Sequence, residues 1–142
     1  MTQNPVLAGL SFYGERPLAG RPANPQILAF LAATTYPDTT SDEVPWCSAF
    51  LVWIFNECVI KTPANAAAKS WLTYSTETDD PKFGDVVVIG YPKEAPANFH
   101  VGLFIRETRE LVYILAGNQN DTVDITPWRK RSVLSYRKLT DQ

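Results

Sequence analysis

Helix signals crowd the first half of this chain and strand signals the second. That order predicts an α+β fold with N-terminal helices packed on a C-terminal antiparallel β-sheet. Three observations carry the prediction. The run from Trp46 to Cys58 is apolar nearly all round, as in a buried central helix rather than a surface one. After Pro81, β-branched runs separated by turn residues read as an antiparallel meander. Helix and strand signals do not alternate along the chain, so βαβ units are not expected.

The elements follow in order. Residues 1–23 are rich in Pro and Gly and read as an irregular lead-in. Asn24-Pro25 couples an N-cap to a proline at the first helical position, and starts a helix running to about Thr34. Ile27, Leu28, Phe30 and Leu31 supply its apolar positions, and Tyr36-Pro37-Asp38 breaks it. Thr39 to Val44 is polar and reads as a loop before the central helix. Thr62-Pro63 repeats the cap-plus-proline signal, which predicts a third short helix from Ala64 to about Leu72. Phe83-Gly84-Asp85 reads as a turn into the strand Val86 to Ile89. His100 to Arg106 is the next strand, and Leu111 to Leu115 follows the polar hairpin Glu107 to Glu110. Val123-Asp124-Ile125 and Val133 to Tyr136 are shorter candidates. With no repeat, low-complexity tract or linker, residues 1–142 are expected to form a single domain.

Composition narrows the function classes. A net charge of −2 argues against a nucleic-acid binder, which carries a basic face. Arg129-Lys130-Arg131, with Arg137 and Lys138 nearby, reads as a solvated surface of the last strands; contact with an anionic polymer such as cell wall is the sharper alternative. Asp42-Glu43 and Asp79-Asp80 read as loops. The N-terminus lacks the basic and apolar regions of a signal peptide. Synthesis in the cytoplasm is therefore expected, and if the substrate lies outside the membrane something else must carry the chain there. Cys47 and Cys58, if on one helix, stand roughly 16 Å apart, too far for a disulfide. Cys58 reads as a buried thiol. One histidine and two distant cysteines form no recognisable metal-ligand set, and no cofactor is expected.

The chemistry centres on Cys47 and His100. A thiol attacks carbonyls as thiolate, and at neutral pH a free cysteine is only a few per cent ionised. Cys47 opens the central helix, where unpaired N–H groups and the helix dipole stabilise both a thiolate and the oxyanion formed on attack. His100 is the only histidine, so a histidine base for Cys47 must be His100. A third residue must hold the imidazole. Asn118, in Ala116-Gly117-Asn118-Gln119, is the first choice; Gln119 is the second, or an oxyanion donor. The bland alternatives are a core cysteine, a structural histidine and a turn-forming asparagine.

An ordered series of motifs is similar to a known family. Pro45-Trp46-Cys47-Ser48-Ala49-Phe50 is followed by Ala67-Ala68-Lys69-Ser70-Trp71-Leu72, Phe83-Gly84-Asp85-Val86-Val87-Val88, His100-Val101-Gly102, Gly117-Asn118-Gln119 and Ser135-Tyr136-Arg137. The series, over about residues 24–138, resembles the small CHAP-like branch of the NlpC/P60 cysteine hydrolases. The resemblance implies a papain-like fold and cleavage of peptidoglycan amide bonds, as an amidase or as a peptidase of the stem or cross-bridge. It implies Cys47 and His100 as the catalytic pair with Asn118 as the third residue, and a turn-capping role for Asp85. Trp46, Ser48, Phe99 and Gln119 are candidates for the substrate wall or oxyanion site. Two positions depart from the pattern: Phe99 stands where a small residue is common, and Ala116 where many CHAP relatives have Glu. A phage lysin or an antibacterial, toxin-like effector is implied, the latter with a cognate inhibitor (immunity) protein as partner. The competing readings are a non-catalytic wall-binding module of the same fold, and a Cys-His acyltransferase or protease acting on another substrate.

Overall fold

The computed structural model describes residues 4–16, 24–34, 46–65, 67–91 and 98–139. Its elements are α1 (Pro5–Leu10), α2 (Pro25–Ala32), α3 (Cys47–Glu57), a 3-10 helix (Ala68–Thr73), β1 (Glu77–Thr78), β2 (Val86–Tyr91), β3 (Asn98–Glu107), β4 (Leu111–Gln119), β5 (Thr122–Arg129), a 3-10 turn (Lys130–Ser132) and β6 (Val133–Arg137). The strands form one six-stranded sheet in the order β1-β6-β2-β3-β4-β5, and every neighbouring pair is antiparallel. The architecture is the expected α+β one.

Both Asn-Pro pairs start helices. Asn24 Oδ1 accepts from the Gln26 N–H at 2.8 Å, and Asn4 Oδ1 accepts from the Val6 N–H at 2.9 Å. Each leaves proline at a position whose missing N–H costs nothing. The irregular lead-in expected over 1–23 therefore contains a helix, α1, announced by the same signal as α2. After α1 the chain follows the free edge of β5: the Gly14 N–H donates to Val123 O and the Val123 N–H to Glu15 O. The break at Tyr36-Pro37-Asp38, the loop Thr39 to Val44 and the acidic pair Asp42-Glu43 lie outside the described residues.

The third helix is corrected. Thr62 Oγ1 does cap, accepting from the Ala64 N–H, but Ala64 then adopts a left-handed φ of 55°, which no α-helix continues. Helical structure resumes only at Ala68, as 3-10. The strands Leu111 to Leu115 and Val123 to Ile125 extend further than expected, and β1 was not expected at all.

Eight of the eleven residues of α3 are buried, so the helix is the axis of the larger core. Phe30, Phe50, Phe55 and Trp71 meet Val86, Val88, Val101, Leu103 and Leu115 on one face of the sheet. The opposite face carries a smaller cluster of Val87, Ile89, Phe104, Val112 and Ile114, against which Trp128, Val133 and Tyr136 pack. The basic cluster at the chain end is partly structural: Arg137 donates to the carbonyls of Tyr74 and Ser75, and Lys130 pairs with Glu107 at 2.6 Å. No helix among the described residues is long and apolar enough to cross a membrane.

Helix α3 ends with a left-handed residue. Val59 has a φ of 58°, the Ile60 N–H donates back to Phe55 O at 2.9 Å, and the valine side chain is 91% exposed. Glycine is the usual occupant of this position, because a Cβ in the left-handed region costs about 1–2 kcal/mol. Val59→Gly removes no core contact. After the entropy cost of glycine it is expected to stabilise the fold by about 1 kcal/mol, raising Tm by about 3 °C. A thermal melt of the variant checks this, and a lower Tm would contradict it.

Candidate active site

The site forms where the sheet opens. The β3–β4 ladder runs from Glu107↔Val112 to Leu103↔Leu115 and stops short of His100. The first turn of α3 packs here. A Cβ on Gly117 would come within 2.7 Å of the Trp46 ring and 2.8 Å of Phe50 Cβ, so only glycine lets the helix approach β4 this closely. Cys47 is the first residue of the helix, and Trp46 at the N-cap offers no side-chain acceptor. The N–H groups of the first turn therefore face the cysteine without a competing cap. Backbone N–H groups of Ser48 and of Val101, on β3, both reach the thiol.

His100 lies within hydrogen-bonding reach of the Cys47 thiol. Its Nε2 lies 3.2 Å from Gln119 Oε1. The rest of the network settles which tautomer this is. Gln119 Nε2 donates to Ile114 O at 3.2 Å and to Asp124 O at 2.8 Å, which engages both amide hydrogens. The Trp128 indole N–H donates to Gln119 Oε1 at 2.8 Å. Oε1 is thus an acceptor only, and His100 Nε2 must carry a proton. The other ring nitrogen, Nδ1, is left for Cys47. The indole also stacks on the imidazole, with ring centroids 5.1 Å apart and planes 30° from parallel.

The electrostatics follow from this contact. Burial pushes the Cys47 thiol up. The facing imidazolium outweighs it, with help from the hydrogen bonds of His100, Val101 and Ser48, and the thiol lies below its usual range. Burial pushes His100 down, but the thiolate charge and the hydrogen bonds to Cys47 and Gln119 carry it above the usual imidazole range. Each charged form favours the other, so the thiolate–imidazolium form of the pair is stabilised relative to two isolated groups. Cys58, at the other end of α3, is pushed up by burial and by the Glu57 carboxylate. Near neutral pH, iodoacetamide is expected to label Cys47 well before Cys58. The Cys47 rate should fall only as the pH drops through the lowered thiol value. Peptide mass spectrometry over a pH series checks this, and equal labelling of the two cysteines would contradict it.

Cys47 and His100 open onto a cleft of about 540 Å³, lined also by Phe99, Asn118, Gln119, Asn120, Thr126, Pro127 and Trp128. Cys47 itself is 5% exposed. A larger groove of about 790 Å³, between β1, β6 and Glu107, contains neither thiol nor imidazole among its lining residues.

The expected site residues divide. Cys47, His100, Phe99, Asn118 and Gln119 meet at this cleft. Asn118 was the first choice to hold the imidazole, but Gln119 makes that contact. The reason is a bulge: the β4–β5 register shifts between Ala116↔Asp124 and Gln119↔Thr122, and Asn118 takes a left-handed φ of 57° inside it. The extra residue reverses the alternation, so Gln119 occupies the face on which Val112 and Ile114 stand. Trp46 is not a cleft wall: it is 1% exposed and stacks on Phe30 at 6.1 Å. The Ser48 hydroxyl is buried, donating to Asn65 O at 2.6 Å and accepting from the Trp71 indole at 2.7 Å. Only its backbone N–H faces the thiol. Asp85 caps, its two oxygens accepting from the N–H groups of Lys82 and Leu139. Trp128 was not singled out from sequence; an indole next to Pro127, on a strand following the Asn-Asp turn, was the only available signal. Among the described residues no three His, Cys, Asp or Glu side chains group as a metal site.

No curated protein matches the chain. The model of the NlpC/P60 family matches residues 38–137, as a family and without singling out its CHAP-like branch. The match takes in Cys47, His100 and Gln119, and the chain belongs to the NlpC/P60 family, whose members are generally cysteine hydrolases of cell-wall peptides.

Proposed function

We propose that this protein is a peptidoglycan hydrolase that cleaves an amide bond of the wall peptide, with Cys47 as nucleophile and His100 as base and acid. The observation that carries the reading is the contact of the Cys47 thiol, at the start of α3, with an imidazole held from its far side by Gln119. The thiolate adds to the scissile carbonyl carbon, and the first-turn N–H groups of α3 face the oxyanion that forms. The C–N bond then breaks as the imidazolium gives its Nδ1 proton to the leaving amine, leaving a thioester on Cys47. Neutral His100 next takes a proton from water, whose oxygen attacks the thioester. The C–S bond then breaks, returning the thiolate to Cys47 beside the imidazolium and releasing a carboxylic acid that ionises to solvent.

Action at the wall follows export, injection or lysis, as for a lysin or an antibacterial effector. An inhibitor protein that plugs the cleft would suit the effector case. The test is mass spectrometry of purified peptidoglycan incubated with the wild type or with Cys47→Ala. New muropeptides from the wild type alone are expected. Their masses distinguish an amidase from a stem or bridge peptidase. Equal products from both proteins, or none from a folded wild type on walls of several chemotypes, would overturn the proposal.

A further inference from the structure

Two independent contacts join Trp128 to the residues that decide how the base works: a hydrogen bond to Gln119 at 2.8 Å and a ring stack on His100 at 5.1 Å. We propose that Trp128 is a positioning residue of the Cys47–His100 couple, its indole N–H locking the Gln119 amide with Oε1 toward the imidazole and its ring covering one imidazole face. The consequence for turnover rests on the hydrolase reading. The geometry concerns the thiol–imidazole pair alone.

A glutamine amide holds a tautomer only if it cannot turn over. Flipping Gln119 would set its NH₂ against two donors, the indole and the imidazole, and its oxygen against the carbonyls of Ile114 and Asp124. An indole nitrogen donates and never accepts, so Trp128 cannot adapt to the flipped amide as a hydroxyl or a water could. The two donors also occupy both lone pairs of Oε1, leaving none for water entering from the cleft. The stacked ring acts on charge: an aromatic face attracts an imidazolium more than a neutral imidazole, and it keeps water off the His100–Gln119 bond.

The sheet fixes this placement. Trp128 pairs with Val112 in the β4–β5 ladder, and the register then carries through the bulge to Gln119↔Thr122. Asp124, the nearest acid on β5, accepts from the Tyr13 hydroxyl at 2.7 Å and from the Ile125 N–H at 2.8 Å. Ile89 of β2, opposite His100, is apolar. Cys47 of α3 is thus the titratable partner of the ring among the described residues.

The sequence contains one histidine, so the test is direct. In ¹⁵N-labelled protein the imidazole nitrogens report tautomer and titration without overlap, with no substrate present. The wild type, Trp128→Phe and Trp128→Ala are compared by pH titration. Trp128→Phe keeps an aromatic cover and removes the donor; the expected result is mixed neutral tautomers and a lowered imidazolium midpoint. Trp128→Ala removes both and is expected to lower the midpoint further, by about half to one pH unit. At neutral pH it should slow Cys47 alkylation roughly threefold to tenfold. Should Trp128→Ala fail to fold, Trp128→Phe decides through the tautomer ratio. A wild-type midpoint and a single wild-type tautomer in Trp128→Phe, with wild-type alkylation, would overturn the proposal. A protein that titrates as expected but releases no muropeptides would sink the hydrolase reading and leave this one standing.

Discussion

Cys47→Ala, His100→Ala and the double variant are each expected to reduce kcat/KM on a muropeptide substrate to one common residual level, at least about 10³-fold below wild type. The equality matters more than the size. The imidazolium lowers the thiol and the thiolate raises the imidazole, so each charged form depends on the other. Removing either member removes the function of both, so the second substitution has nothing left to take away. The residual rate would come from the helix N-terminus and the cleft alone. Steady-state kinetics on the four proteins checks this. Losses that multiply in the double variant would mean two independent contributors rather than one machine. A His100→Ala protein within tenfold of wild type would remove His100 from the mechanism.

Gln119→Leu is expected to lower kcat by about 10²-fold, whereas Asn118→Gly leaves kcat within about threefold of wild type. Leucine nearly preserves the volume of glutamine but accepts no hydrogen bond, so the imidazole loses the group that holds Nε2–H. It also leaves Ile114 O, Asp124 O and the Trp128 indole without their partner. A lower Tm should accompany the loss of rate, so the comparison is made well below the transition. Glycine is the fair replacement for Asn118, because it tolerates the φ of 57° found there. Asn118 lines the cleft, so a change in KM is compatible with this placement. A 10²-fold drop in kcat for Asn118→Gly with a near-normal Gln119→Leu would return the orienting role to Asn118.

Much of this arrangement was legible in the chain. The central helix was readable because its burial leaves almost no polar residue between Trp46 and Glu57, and its start had to lie near Cys47. Strand β3 was readable from its β-branched and aromatic run, and a single histidine left one candidate for a histidine base. Helix α1 was readable in principle, since Asn4-Pro5 repeats Asn24-Pro25, but the surrounding Pro and Gly outweighed it. Strand β1 was not readable: its two residues form a strand only because β6 lies beside them.

The third site residue shows where one-dimensional reading stops. Alternation along β4 carries Val112 and Ile114 to Ala116 and Asn118, and that count points to Asn118. The two-residue turn Asn120-Asp121, with φ values of 50° and 61°, instead closes the hairpin at Gln119↔Thr122. One residue of β4 must then bulge, and the bulge turns Gln119 to the imidazole. The local sequence determined the residue types at hand: a thiol at a helix start, an imidazole near a strand start, and two adjacent amides at a strand end. The pairing of β4 with β5 decided which amide meets the ring, and the same register brought Trp128 against it. Register is a property of two strands together, held by hydrogen bonds between segments, and no single segment encodes it.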